Sequence, residues 1–140
     1  MSTRSLVGTN GSRRVAGERG EHRFFAYDLA LEIARALVEP LKTLKAVDAE
    51  NCDQAYRSLK GMCLCVAEGG RRRKLDRANF FDMAAGSAQE LRMALTLAVV
   101  FGHLDEALVH PIDRMIDREL AMLWALARRT EADVAARRTK

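Results

Sequence analysis

The chain has 140 residues, of which 49% are apolar and 30% are charged, with a net charge of +4 and a pI near 9.2. That length suits one domain with a buried core, and that mix is ordinary for a globular chain. No apolar run approaches the roughly 18 residues of a membrane span, and no apolar segment follows the basic N-terminus to make a secretory signal. Glu18 and Glu21 also interrupt any Arg-rich transit pattern, so the cytoplasm is the expected location. Only two prolines occur, and alanine, leucine, arginine and glutamate dominate, which favours helix over strand.

Residues 1–21 are mostly Ser, Gly, Arg and Thr, with little to bury, and read as a disordered basic arm. Arg4, Arg13, Arg14, Arg19 and Arg23 either stay solvated or touch an acidic partner. A first helix is predicted from Glu21 or His22 to about Lys45. Phe24, Tyr27, Leu31, Ala34, Val38 and Leu41 form its stripe, widened by Ala30, Ile33, Leu37 and Leu44. Pro40 removes a backbone donor inside that pattern, so a kink is expected there.

Asp48 is the expected N-cap of a second helix, with Ala55, Leu59, Met62 and Val66 inward. Gly61, inside it, points to a close helix approach, and Gly69–Gly70 are expected to end it, one of them left-handed. A third helix is predicted from an Asp76 cap to about Gly102, along Phe80, Ala84, Ser87, Leu91, Ala94, Ala98 and Phe101. Leu95 and Leu97 flank that stripe, and Gly86 and Ser87 mark a second close approach. A fourth helix is predicted from Leu104 or Asp105 to about Arg129, with Leu108, Ile112, Met115, Ile116, Leu123 and Leu126 inward and Trp124 beside them. Pro111 either kinks one helix or opens it at its first position.

Four amphipathic helices with short connections make an all-α, up-down-up-down four-helix bundle over residues 22–130. Residues 131–140 form a basic C-terminal tail expected to fray. Phe25, Leu97, Val100 and Trp124 are surplus to one buried stripe per helix, which points to a subunit interface.

Little in the chain carries catalytic chemistry. Cys63 and Cys65 are two apart on a helix, point different ways and cannot clamp a metal; with Cys52 they read as small buried thiols. His22, His103 and His110 have no ligand spacing and read as surface or helix-end residues. Gly69-Gly70-Arg71 follows a helix and lacks phosphate-loop spacing. No nucleophile–base pair stands out, and no cofactor or small-molecule substrate is implied. Glu68 and Glu90 read as hydrogen-bonding groups.

The densest charge is the turn Arg71, Arg72, Arg73, Lys74 and Arg77, with Asp76 the one acid among them. Guanidinium groups take phosphate through paired donors, so the turn is a candidate contact for RNA or DNA backbone; the other reading is a solvated turn that complements the preceding helix end. With no aromatic inside the block to stack a base, sequence-specific reading is not expected.

Cys65-Val66-Ala67-Glu68-Gly69, the basic turn, and Phe80-Phe81-Asp82-Met83-Ala84-Ala85-Gly86-Ser87-Ala88-Gln89-Glu90-Leu91 carry a resemblance. Together they resemble the four-helix-bundle family encoded in intervening sequences of bacterial 23S ribosomal RNA genes. A relative of that family is the accessory variability protein of diversity-generating retroelements. Cys65 stands where the family often has asparagine, Arg77 where it has an aromatic, and the turn is a residue shorter. The resemblance implies a homo-oligomer, a homopentameric barrel, with nucleic acid or a nucleic-acid enzyme such as a reverse transcriptase as partner. A structural or protein–protein interaction bundle with no nucleic-acid role is the alternative.

Overall fold

The computed structural model describes residues 24–139, and every regular element among them is a helix. These are α1 (Phe25–Ala36), α2 (Val38–Val47), α3 (Ala49–Arg71), α4 (Lys74–Val100) and α5 (Glu106–Arg138). The expected arm, residues 1–21, lies outside the described residues, as does His22. All five helices contribute to one hydrophobic core.

The first expected helix is divided into α1 and α2 at Leu37, three residues before Pro40. Proline has no N–H to offer the carbonyl of Ala36, so the irregularity falls in the preceding turn. Leu37 N donates to Ile33 O (3.1 Å) and Ala34 O (3.2 Å), and Leu41 N donates to Leu37 O (3.0 Å), so the chain stays nearly helical. The face turned inward is not the expected stripe. Ala30, Ile33, Leu37 and Leu44 are buried, whereas Tyr27 and Val38 are exposed. Two apolar faces compete on this helix. The aliphatic one takes the core, and the one with the tyrosine keeps its hydroxyl near water.

Asp48 caps α3 as expected, its Oδ1 accepting from Asn51 N at 3.1 Å. The helix end departs from expectation. Gly69 and Gly70 are both helical, neither has a positive φ, and α3 runs on through Arg71. Their role is room. A Cβ on Gly69 would meet the Phe81 ring at 2.7 Å, and one on Gly70 would meet the Phe24 ring at 2.7 Å.

Helix α4 starts at Lys74, two residues before the expected cap, and Asp76 sits in its first turn, where a carboxylate is favoured by the dipole. Phe81, not Phe80, is fully buried, and Phe101 is exposed. Of the expected small-residue pair, Ser87 meets α3, its Oγ 2.9 Å from where a Cβ on Gly61 would stand. Gly86 is one position off that line, exposed, with nothing near its missing side chain. Gly102, at φ 77, ends the helix in a Schellman arrangement: His103 N donates to Ala98 O (2.8 Å) and Gly102 N to Val99 O (2.9 Å).

Asp105 caps α5, accepting from Ala107 N at 3.1 Å, and the helix is single, with Pro111 inside it. It ends at Arg138, well past the expected end near Arg129, so the expected fraying tail is helix as far as the described residues go. No glycine or proline interrupts that stretch, and Glu131, Ala132, Ala135 and Ala136 are strong helix formers. Its inward face carries Val109, Leu120 and Ala127, and Leu108 and Trp124 are exposed.

Contacts distant in sequence mark the two ends of the molecule. At one end the Phe24 ring lies edge-on to Phe81 (centroids 6.0 Å apart), and Arg128 Nη2 donates to Asp82 Oδ1 at 3.0 Å. At the other, His103 Nδ1 lies 3.6 Å from Asp48 Oδ2, and Asn51 Nδ2 donates to Ala94 O at 2.9 Å. Midway, Arg92 ties α4 to α5 through Asp113 and Asp117, and the hydrogen bond with Asp117 is the main cause of its raised pKa.

Candidate nucleic-acid interface

The five residues of the basic turn come together at the α3–α4 junction, but the fold uses them differently. Arg72 is the most committed. Its guanidinium donates to Glu68 Oε2 (Nε, 2.8 Å) and Asp76 Oδ2 (Nη1, 3.0 Å) and lies over the Phe80 ring, 5.2 Å from its centroid. The arginine thus joins a carboxylate one turn back on α3, Glu68, to one in the first turn of α4, Asp76. The bond from Arg72 holds the Glu68 carboxyl below the usual carboxylate range, and the same bond raises the arginine. Glu68 is thus a hydrogen-bonding group, as expected, whereas Glu90 is exposed.

Arg77 is half-buried and closes the end of α3. Its Nη1 donates to Gly69 O (3.1 Å) and Gly70 O (3.2 Å) at the carbonyl end of α3, where Gly69 O also accepts from Arg72 N (3.3 Å), and it lies 4.9 Å from the Phe81 centroid. The two aromatics beside the turn therefore hold guanidinium groups on their faces.

Arg71 is exposed and reaches Glu68 Oε1 at 3.3 Å, an exposed pair one turn apart of the kind that competes poorly with a phosphate. Arg73 and Lys74 are exposed, and their side chains have no ion pair or hydrogen bond among the described residues. Arg73 occupies the N-cap position of α4 without a side-chain cap, so amide donors of the first turn stay open. Lys74 has φ 57, a conformation unfavourable for a side chain with a Cβ. It lets two residues, Arg72 and Arg73, connect two long helices. Arg71, Arg73 and Lys74 are thus exposed within four residues of one another at the positive end of the α4 dipole, an arrangement that suits a polyanion.

The helical C-terminus adds cations that the composition alone sets apart as a tail. Asp82 faces Arg128 across α4 and α5, whose side-by-side register Arg92 also fixes. Eight residues back along α4 is Lys74, and eight onward along α5 is 136. Arg137 and Arg138 therefore stand at about the level of the turn.

One titratable residue is not among those the sequence singles out. Glu119 is 0% exposed, and neither carboxylate oxygen has a hydrogen-bond partner. Burial pushes its pKa up to about 8. The Cys63 thiol is raised too, first by its own burial and then by the Glu119 charge. The signal was in the spacing: Ile112, Ile116, Glu119 and Leu123 step by four, three and four along one apolar stripe. Of the three cysteines expected to be buried, one is fully so. Cys52 is buried and donates to Leu41 O at 3.2 Å, and Cys63 and Cys65 are half-buried with raised pKa values. Among the described residues no group of His, Cys, Asp and Glu is placed to hold a metal, and no helix is long and apolar enough to cross a membrane.

Comparison with family models, with characterised proteins and with solved structures gives no match.

Proposed function

We propose that this chain is a non-enzymatic, cytoplasmic four-helix bundle of up-down-up-down order, with α1 and α2 counted as one helix. Copies of it assemble and hold nucleic-acid backbone, RNA or DNA, or an enzyme acting on nucleic acid such as a reverse transcriptase. The observation that carries the reading is the α3–α4 turn, where Arg71, Arg73 and Lys74 are exposed beside an uncapped helix N-terminus. Arg72 and Arg77 serve as its frame, bonded to Glu68, Asp76 and the end of α3. Binding is to phosphate and without sequence preference, since the neighbouring aromatic faces are already engaged.

Assembly is supported by apolar residues left outside the core: Phe25, Leu97, Val100 and Trp124 are all exposed. A closed ring of five, as in the intervening-sequence family that the α3–α4 segment resembles, would repeat the turn around one axis. Several weak contacts on one polyanion then act at a raised effective concentration.

The test is fluorescence anisotropy with mixed-sequence RNA and DNA at two salt concentrations. Replacing Arg71, Arg73 and Lys74 together with glutamine leaves the frame residues in place. It should weaken binding to all sequences alike and flatten the salt dependence, because fewer phosphates are neutralised and fewer counterions are released. Equal affinity of the two proteins sinks the assignment of the turn. Absence of binding by the wild type at low salt leaves the protein–protein interaction bundle.

A further inference from the structure

We propose that the seam between α1–α2 and α3 is a docking groove for an amphipathic helix with acidic flanks, presented by a partner protein. This site is separate from the basic turn and does not depend on its reading. The seam encloses a cavity of about 700 Å³. It is open because the residues along it are small where the helices face each other: Ala34 on one side, Cys52 and Cys63 on the other.

The floor is apolar, with Leu41 and Leu59 largely buried beneath the opening. The walls are apolar too, although they meet water. Val38 is 51% exposed, Tyr56 52% and Leu64 66%. From Cys52 to Leu64 the wall of α3 is about 18 Å long at 1.5 Å per residue. That is enough for anchors at i, i+3 or i+4, and i+7 of a docked helix. Val38 belongs to the stripe expected to face inward on the first helix, and the core leaves it exposed.

The rim decides the occupant. Lys42, Lys45 and Lys60 stand around the groove against one acid, Asp53. Lys42 reaches Glu39 at 3.2 Å, and the Lys60 ammonium lies 5.0 Å from the centroid of the Tyr56 ring. Lys45 has no ion pair among the described residues. A second copy seated groove to groove about a two-fold axis would set lysines against lysines. A nucleic acid would meet the lysines but has no aliphatic ridge to fill the floor. A helix with an apolar stripe flanked by glutamates satisfies both parts of the site.

The test uses the full chain and two labelled helical peptides with the same leucine stripe, one flanked by glutamates and one by lysines. The Glu-flanked peptide should bind about tenfold or more tighter than the Lys-flanked one, with salt narrowing the gap. Val38→Glu with Leu64→Glu, both on exposed positions, should abolish that binding. Lys45→Glu with Lys60→Glu should invert the ranking of the two peptides, a result that a damaged fold would not give. Equal binding of the two peptides, or binding indifferent to both double variants, overturns the proposal. So does dissociation of an oligomer by Val38→Glu with Leu64→Glu, which would give the groove to a second copy. Loss of RNA binding in Lys45→Glu with Lys60→Glu, without peptide binding by the wild type, would give it to nucleic acid and overturns the proposal as well.

Discussion

Gly69 of α3 and Phe81 of α4 touch so closely that a Cβ on the glycine would stand 2.7 Å from ring atom Cε1. The ring is fully buried and the Phe80 Cβ stands 3.3 Å from the same point, so the added carbon is crowded by two neighbours. Gly69→Ala should therefore destabilise the fold by about 1–3 kcal/mol through overpacking. Gly86→Ala is the control: with nothing near it, the change should stabilise the helix by about 0.5–1 kcal/mol. Urea melts of the two variants should move in opposite directions.

Glu119 predicts an unusual dependence on pH. Its pKa is about 8 in the fold against an ordinary value of 4.5, so between those values the folded chain holds a proton that the unfolded chain has released. The stability contributed by the neutral acid is fully present below about pH 4.5 and is lost as pH rises through about 8. In that window the slope is at most about 1.4 kcal/mol per pH unit. Glu119→Gln removes the titration and should flatten the curve. Denaturant melts from about pH 5 to about pH 9, wild type against variant, check this; parallel curves would mean the carboxyl is not buried.

Lys74 holds a left-handed backbone conformation at the head of α4. Lys74→Gly should relieve about 1 kcal/mol of strain and raise the melting temperature. If the turn binds phosphate, the same change should weaken nucleic-acid binding. Stability and affinity moving in opposite directions is the expected signature.

The proposed assembly has its own check. Val100 and Phe101 are 69% and 57% exposed, at the end of α4 beyond its packed face. Val100→Glu with Phe101→Glu should reduce the mass seen by light scattering to that of a monomer if this patch lies between copies, with helical content unchanged. A wild type that already runs as a monomer at micromolar concentration would end the oligomer reading.

The features that the sequence made legible are those decided within a few residues. The Asp48 cap, the end of α4 at Gly102 and the start of α5 beside Asp105 follow from local hydrogen-bond chemistry, and each is where the sequence placed it. Choices made between helices were not legible. The first helix offers two apolar faces, and only its neighbours decide that Ile33 and Leu37 go inward while Tyr27 and Val38 do not. Gly69 looked like a helix stop because a double glycine usually is one; its partner, Phe81, is twelve residues away. The candidate site was legible as charge and not as geometry. Arg72 has carboxylates four residues to either side, a pattern present in the sequence, whereas the bonds from Arg77 to Gly69 and Gly70 exist only once α3 ends there.

Beyond Ala127, no described residue of α5 is buried, yet the helix continues to Arg138. Such a segment melts by unwinding from its unpacked end, one hydrogen bond at a time, because the packed turns behind it already supply the nucleus. Its amides should exchange with deuterium along a gradient, fastest near Arg138 and slowing toward Ala127, instead of opening together with the core. Ellipticity at low temperature will accordingly slope before the main transition, as the last turns of α5 uncoil while the interior remains intact.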